Sequence, residues 1–407
     1  MIEQKKLPKL RFPSFFEKWK VKTIDNIFER VVNPVDVNEK QEYKQIGIRS
    51  HGKGIFHKET VLGNELGNKR VFWIEENLFI VNIVFAWEMA VAKTTKNEMG
   101  LIASHRFPMY RPKNDILDLD FILYFFLRNR GKYILELASP GGAGRNKTLG
   151  QKEFAKSKVT IPTNIEEQQK IATFLASVDK KIDQLQQKKN LLEQYKKGVM
   201  QHLFSQQLRF KDDNGNNYPD WEEKRLGDIV IRAQSGGTPK STNKSYYDGD
   251  IPFLSINDMT TQGKYLKSTN KSISKKGLEN SSSWIVPKNS IIYSMYASVG
   301  FVSINKIELA TSQAVINLIL KDNIHLDYIY YFLSDFKQYV NRFVETGTQG
   351  NINASIVKNI KIKLPSSLEQ TKIANFLSAI DKKIELVSTQ IENTQLFKKG
   401  LLQQLFV

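Results

Sequence analysis

Ile161-Pro162-Thr163-Asn164-Ile165-Glu166-Glu167-Gln168-Gln169-Lys170-Ile171-Ala172-Thr173-Phe174-Leu175 reappears, one residue shorter, as Leu364-Pro365-Ser366-Ser367-Leu368-Glu369-Gln370-Thr371-Lys372-Ile373-Ala374-Asn375-Phe376-Leu377. From Lys170 to Phe204 the copies align at a constant offset of 202, with 15 identities in 35 positions. Asp179-Lys180-Lys181-Ile182 matches Asp381-Lys382-Lys383-Ile384, and Lys196-Lys197-Gly198 matches Lys398-Lys399-Gly400. The repeat also reaches backwards. Trp19 matches Trp221, Leu10-Arg11-Phe12 recurs as Leu208-Arg209-Phe210, and Asp120-Phe121-Ile122-Leu123-Tyr124-Phe125 parallels Asp327-Tyr328-Ile329-Tyr330-Tyr331-Phe332. A period of about 200 residues is too long for a solenoid. The chain reads as a duplicated pair in the order globular, helical, globular, helical, with segments 1–165, 166–207, 208–366 and 367–407.

The repeated stretch is helical by its spacing. Ile171, Leu175, Val178, Ile182, Leu185, Leu192, Val199 and Leu203 fall on a four-three alternation, with Lys189 and Lys196 at two seam positions. The second copy runs Ile373, Leu377, Ile380, Ile384, Val387, Ile391, Thr394, Lys398, Leu401, Leu405. This is the a/d stripe of a coiled coil. Each helix opens after a proline with early acids, Glu166 and Glu167 or Glu369, suited to the N-terminal dipole. Gly198 and Gly400 come late, where a bend or a frayed end is expected. A helix from Glu166 to Phe204 is about 58 Å long. A seam of this kind needs a partner. The other copy in the same chain is the economical one; a zipper between two chains is the alternative.

The globular segments read as mixed α/β with more strand than helix. Asn77–Val84, Ile251–Ile256 and Trp284–Met295 are β-branched and aromatic runs between Gly, Asn and Ser clusters, while Asp120–Arg128 and Asp327–Val340 have helical spacing. The 407 residues suit two or three domains, and 41% hydrophobic with 25% charged residues is ordinary for a globular chain. Cysteine is absent, which excludes disulfides, thiolate metal sites and cysteine nucleophiles. No apolar run reaches membrane-spanning length and Met1–Arg11 lacks the apolar stretch of a signal peptide, so a cytoplasmic location is expected.

Lys and Arg number 60 against 42 Asp and Glu, a net charge of +18. That surplus predicts an anionic partner, nucleic acid first. It is shared: Lys20–Thr160 holds 23 basic and 16 acidic residues, Glu222–Ile362 holds 17 and 12. Two DNA contacts are favoured over one basic arm.

Catalytic motifs are not legible. Gly141-Gly142-Ala143-Gly144-Arg145-Asn146-Lys147-Thr148 nearly spells a phosphate loop, but Asn146 stands where glycine is required and the residues before it, Tyr133 to Leu137, read as a helix. A basic loop near a DNA backbone, through Arg145, Asn146 and Lys147, fits better; an ordinary turn is the competing reading. Gly347-Thr348-Gln349-Gly350-Asn351-Ile352 stands at the matching place and nominates Gln349 and Asn351. The five histidines do not form a metal pair, and Asn33-Pro34-Val35 lacks the second proline and aromatic of an amino-methyltransferase motif. Arg49, His51, Lys53 and Lys58 sit in a glycine-hinged basic stretch. Ser235, Thr238, Lys240 and Asn257 mix hydroxyls, a cation and an amide in the second globular segment. Ser104-His105 and Ser312-Gln313 occupy corresponding places before apolar runs, so His105 and Gln313 join the DNA-binding candidates. Such side chains read base edges, and Gln or Asn pairs bidentately with adenine. The competing reading for each is a solvated turn.

The doubled Pro-x-x-[Ile/Leu]-Glu…Lys-Ile-Ala-x-Phe-Leu…Asp-Lys-Lys-Ile opening, the doubled Leu-Arg-Phe…Trp lead-in, and Ser235-Gly236-Gly237-Thr238-Pro239 with Asp250-Ile251-Pro252-Phe253 resemble the specificity subunit of a type I restriction–modification system. The resemblance covers nearly the whole chain. It implies two target recognition domains separated by two long antiparallel coiled-coil helices. Each domain would read one half of a split, asymmetric DNA target. Two methyltransferase subunits, which use S-adenosylmethionine to methylate adenine, and a motor-nuclease subunit, which uses ATP and magnesium, are the implied partners. The chain itself would be non-catalytic and hold no cofactor. Helices as a ruler imply that one extra turn near Gln186 lengthens the unspecified gap. Apolar side chains bordering the seam, Phe174, Leu191, Phe376 and Phe397, are the expected methyltransferase docking surface. The remaining readings are a sequence-independent nucleic-acid binder, a DNA-acting enzyme with an unread motif, and a coiled-coil scaffold with no nucleic-acid role.

Overall fold

The computed structural model describes residues 7–113, 116–141, 147–343 and 351–407, with backbone alone at 341–343. The helices that matter below are α1 (Leu119–Phe126), α2 (Asn129–Leu137), α3 (Ile165–Phe204), α4 (Ile256–Gln262), α5 (Leu326–Phe336) and α6 (Ser367–Gln404). The chain divides into two units. The first comprises the residues up to Leu185 with Gln390–Val407, the second Gln186–Thr389. Each therefore owns part of both long helices.

In the first unit, strands β1 (Glu42–Ile48), β2 (Ile55–Leu62), β3 (Val71–Trp73) and β4 (Ile102–Ser104) form a sheet in the order β2-β1-β4-β3. A second sheet joins Phe28–Val31, Met109–Pro112, Phe79–Val81 and Val91–Lys93 in that order, all antiparallel. Phe79, Ile80 and Val81 are all fully buried, because both faces of this central strand are covered. Its core is aromatic. Trp19, Phe28, Phe79, Phe121, Phe125, Phe126 and Phe154 pack together and continue into Ile171, Leu175, Val178 and Ile182 of α3 and Leu401 and Leu405 of α6. The apolar stripe on the long helices is thus one core with the globular part. Asp118 caps α1 by accepting from Phe121 N at 2.8 Å.

In the second unit, β5 (Val230–Ser235), β6 (Tyr247–Leu254), β7 (Ile291–Ser294), β8 (Ala310–Thr311) and β9 (Val315–Leu320) are the main strands. One sheet runs β5-β9-β7 and continues through Val302–Asn305 to Tyr265–Leu266; the other places β6 between Lys271–Ile273 and β8. All four residues of the central β7 are buried, which explains its unbroken apolar reading. The core again runs into the long helices, here Met200 and Leu203 of α3 and Ile373, Ala374, Leu377 and Ile380 of α6.

Within each unit the long helices run in opposite chain directions. In the first, Leu10 N donates to Gln404 O while Arg11 pairs with Glu167, placing the end of α6 beside the start of α3. Twelve residues further along α3, Asp179 meets Lys398, earlier in α6. In the second, Lys196 meets Asp381, and the Phe204 ring packs on Tyr328 near Trp221, which bonds Glu369.

The duplicated residues turn out to be these joints. Glu167 and Glu369, in the first turns of the long helices, are buried, at 1% and 0% exposed. Arg11 grips Glu167 through two bonds of 2.7 and 2.8 Å, and Trp19 Nε1 donates to the same carboxylate at 3.1 Å. Arg209 grips Glu369 at 3.3 and 2.9 Å, and Trp221 Nε1 donates at 2.9 Å. The neighbouring glutamines do the same work in the backbone. Gln168 Oε1 accepts from Asp118 N ahead of α1, and Gln370 Oε1 accepts from His325 N ahead of α5. Gly198 and Gly400 do not break their helices. A single glycine costs about 1 kcal/mol against alanine, and the buried seam on either side outweighs that.

Candidate nucleic-acid interface

In the first unit Arg49, His51 and Lys53 form the tip of the β1–β2 hairpin, all exposed. His51, Gly52 and Gly54 have φ of 61°, 67° and 76°. At Gly52 a Cβ would also lie 2.4 Å from Leu127 Cδ2, so a side chain there would have to displace the leucine as well as adopt the left-handed backbone. The Arg49 guanidinium lies 4.9 Å from the Phe56 ring centre, which holds the charge at the surface.

The hairpin is anchored by the segment Asn82–Ala90. His51 N donates to Glu88 O at 2.7 Å, Gly52 N to Met89 O at 3.0 Å, and Ser50 Oγ to Glu88 Oε2 at 2.8 Å. The same segment takes two further strands of chain. Ile83 N donates to Arg106 O at 3.0 Å, beside His105, and Leu149 N donates to Ile83 O at 2.8 Å. Lys147 lies over the Trp87 ring at 5.7 Å and 3.0 Å from Glu136. So Arg49, His51, Lys53, His105 and Lys147 gather around one short turn, although they span about 100 residues of sequence. Lys58 is exposed but lies further along the outer strand β2. Its neighbour His57 has Nε2 2.9 Å from Glu98 Oε1. Burial raises the Glu98 carboxyl, yet hydrogen bonds from Thr95 and His57 outweigh it and hold the group below its ordinary range. Arg145, Asn146 and Gln349 lie outside the described residues.

In the second unit the gathering point is Thr311–Ala314. Gly237 N donates to Thr311 O at 2.9 Å, and a Cβ on Gly236 would stand 1.8 Å from that oxygen. Ser235 is the last residue of β5 and its carbonyl accepts from Trp284 Nε1 at 3.2 Å. Thr238 Oγ1 donates to Gln313 Oε1 at 2.8 Å. Lys240 is exposed two residues on. β6 and β8 are parallel, pairing Leu254 with Thr311, so Asn257 in the first turn of α4 and Gln313 leave the same end of that sheet. Asn351 is joined through its neighbour: Ile352 N donates to Met295 O, and Met295 N to Ala314 O.

Sequence reasoning missed Arg232. Its guanidinium stacks 3.8 Å from the Trp284 ring centre, and Gln234 Oε1 accepts from Nε at 2.9 Å and Nη2 at 2.6 Å. An Arg two residues before a Gln on a strand shares its face, which is the signal that could have found it. Trp87 and the bend Met295–Gly300, with Ala297 and Ser298 at positive φ, were also missed. Only the fold brings them beside the candidates.

Of the apolar side chains bordering the seam, Phe174 and Phe376 are partly buried, edge-on against Phe12 at 5.9 Å and Phe210 at 5.4 Å. Leu191 and Phe397 are 65% and 54% exposed. Among the described residues no group of three His, Asp or Glu could hold a metal ion, and no helix is long and apolar enough to cross a membrane.

Two stretches, 16–194 and 218–394, match the family model described as Type I restriction modification DNA specificity domain. The MjaIX type I restriction enzyme specificity subunit of Methanocaldococcus jannaschii is 31% identical over 208 residues, which is 50% of this chain and 48% of that relative. A putative MjaX specificity subunit from the same organism is 24% identical over 96% of this chain and 93% of its own. Among solved structures, the HsdS subunit of Thermoanaerobacter tengcongensis superposes with a TM-score of 0.54 at 16% identity, over 95% of this chain and 96% of that one. A chain from a structure of type I R-M complex assembly and conformational transition reaches 0.62 at 16% identity, over 95% and 97%. These structures share the fold. Two units sharing a pair of long helices, with a family match in each half, define a DNA-specificity class of protein, and the chain belongs to the type I restriction modification DNA specificity domain family, as a specificity subunit with two copies of that domain.

Proposed function

We propose that each unit reads one half of a bipartite, asymmetric DNA target, and that the long helices set the gap and dock methyltransferase subunits. One observation carries this reading. The joints Arg11–Glu167–Trp19 and Arg209–Glu369–Trp221 are the same, while the exposed polar groups they support are unlike. A duplicated support with dissimilar tips suits two versions of one reading task. On this reading 1–165 and 208–366 are the recognition domains and 166–207 and 367–407 the spacer helices. The chain is a non-catalytic reader in the cytoplasm, and a motor-nuclease subunit joins the complex for restriction. Leu191 and Phe397 are the exposed part of the docking surface. Single-molecule methylome sequencing of a methylation-free host carrying this chain and its cognate methyltransferase tests it. Adenine methylation at a two-part motif with a fixed gap is expected. A continuous motif would refute the two-reader arrangement. One helical turn inserted near Gln186 should lengthen the gap and leave both halves unchanged.

A further inference from the structure

Gln313 is exposed, yet the backbone that presents it is fixed from both sides. Thr311 before it is fully buried; its carbonyl accepts from Gly237 N and Ser283 Oγ, and its hydroxyl accepts from Asn317 Nδ2 at 2.8 Å. Asn317, also fully buried, donates as well to Gln234 O at 3.0 Å. After Gln313, the Ala314 carbonyl accepts from both Met295 N and Tyr296 N. Ser312 Oγ accepts from Ala314 N at 3.3 Å and tightens the turn. These bonds hold the backbone on both sides of Gln313, while Asn317 Oδ1 is buried without a partner.

The Gln313 amide is held in its turn by Thr238, whose hydroxyl donates to Oε1 at 2.8 Å. The terminal torsion of glutamine is otherwise broad and two-fold. That bond occupies one acceptor site of Oε1; the second site and both Nε2 protons have no hydrogen-bond partner among the described residues. That is the pattern adenine takes in the major groove: N6–H donates to the oxygen and N7 accepts from the nitrogen.

We propose that Gln313 reads an adenine in the half-site of the second unit, and that Thr238 is its positioning residue, holding the side chain in place. This deepens the half-site reading and rests on it. Without Thr238 the exposed side chain loses the one side-chain contact that holds it in place.

The test is the methylome of a host carrying the full chain with its methyltransferase, comparing wild type with four variants. Gln313→Ala should accept any base at one position of one half-site. Gln313→Glu should move that position from adenine towards cytosine, whose N4 donates to a carboxylate. Thr238→Val should relax adenine preference at the same position about tenfold, and Thr238→Ser should keep it. Both side chains are exposed, so thermal melting of all four should match wild type. A Gln313→Ala motif identical to wild type overturns the proposal while the two-part wild-type motif keeps the half-site reading standing. Relaxation by Gln313→Ala without relaxation by Thr238→Val overturns the positioning role. A wild-type chain giving no two-part motif overturns the half-site reading and this proposal with it.

Discussion

Lys398 Nζ stands 2.5 Å from Asp179 Oδ1, and Lys196 Nζ stands 2.5 Å from Asp381 Oδ1. These four residues are related by the offset of 202 that relates the sequence copies. Each carboxylate also accepts a tyrosine hydroxyl, Tyr124 at 2.7 Å or Tyr331 at 2.5 Å, and each lysine lies over that tyrosine's ring. Burial, then the bond to the carboxylate, pushes both phenols up, so they remain donors. A lysine at a coiled-coil seam position is therefore a paired charge in both units. Asp381→Asn should destabilise the second unit by about 1–2 kcal/mol. A double-mutant cycle with Lys196→Met, followed by thermal unfolding, should show positive coupling; additive losses would remove the pair from the account.

Glu369 holds Arg209 and Trp221 at the base of the second unit while fully buried. Glu369→Gln leaves the guanidinium facing a neutral amide, and a loss of about 2–4 kcal/mol is expected in urea unfolding. Glu167→Gln should cost a similar amount in the first unit. Losses under half a kcal/mol at both sites would show that the joints do not hold the helices.

Glu98 gives the first unit a pH dependence of defined sign. Its folded value lies below 4.5, so its contribution is complete above that pH and is lost as pH falls through the folded value. Glu98→Gln should flatten the acid limb of the stability profile, below the ordinary carboxylate range. An unchanged limb would place the acid sensitivity elsewhere.

Arg232, stacked on Trp284 and bonded twice to Gln234, is pre-organised, and those two bonds leave further guanidinium N–H groups to donate. As a phosphate contact, it should contribute about one unit to the slope of log K against log salt. Arg232→Ala should lower DNA affinity and reduce that slope without changing the methylated motif. A changed motif with an unchanged slope would make Arg232 a base reader.

The limits of the long helices were legible because periodicity is local. The seam predicted from Glu166 to Phe204 is the helix Ile165–Phe204, and its a/d residues Ile171, Leu175, Val178 and Ile182 are buried. Short elements were read less well. The run Asn77–Val84 supplies only the strand Phe79–Val81, and the helical stretch from Asp327 ends as α-helix at Phe336 and continues as 3-10 turns. Leu10-Arg11-Phe12 and Trp19 stood out as repeated, but the partner that explains them, Glu167, lies 156 residues from Arg11.

The sequence by itself determined the duplication, the helical seam and the basic balance, since each is a property of spacing or composition along one chain. It also nominated the polar residues at the tips. Only the tertiary structure decided which of them meet. Arg49, His105 and Lys147 converge because their chain neighbours hydrogen-bond the segment 82–90 and Lys147 lies over Trp87, and Thr238 meets Gln313 across 75 residues. It alone revealed Arg232 on Trp284. The physical reason is that hydrogen bonds and ring stacking act over a few ångströms in space, and chain separation leaves no local pattern from which that proximity can be read.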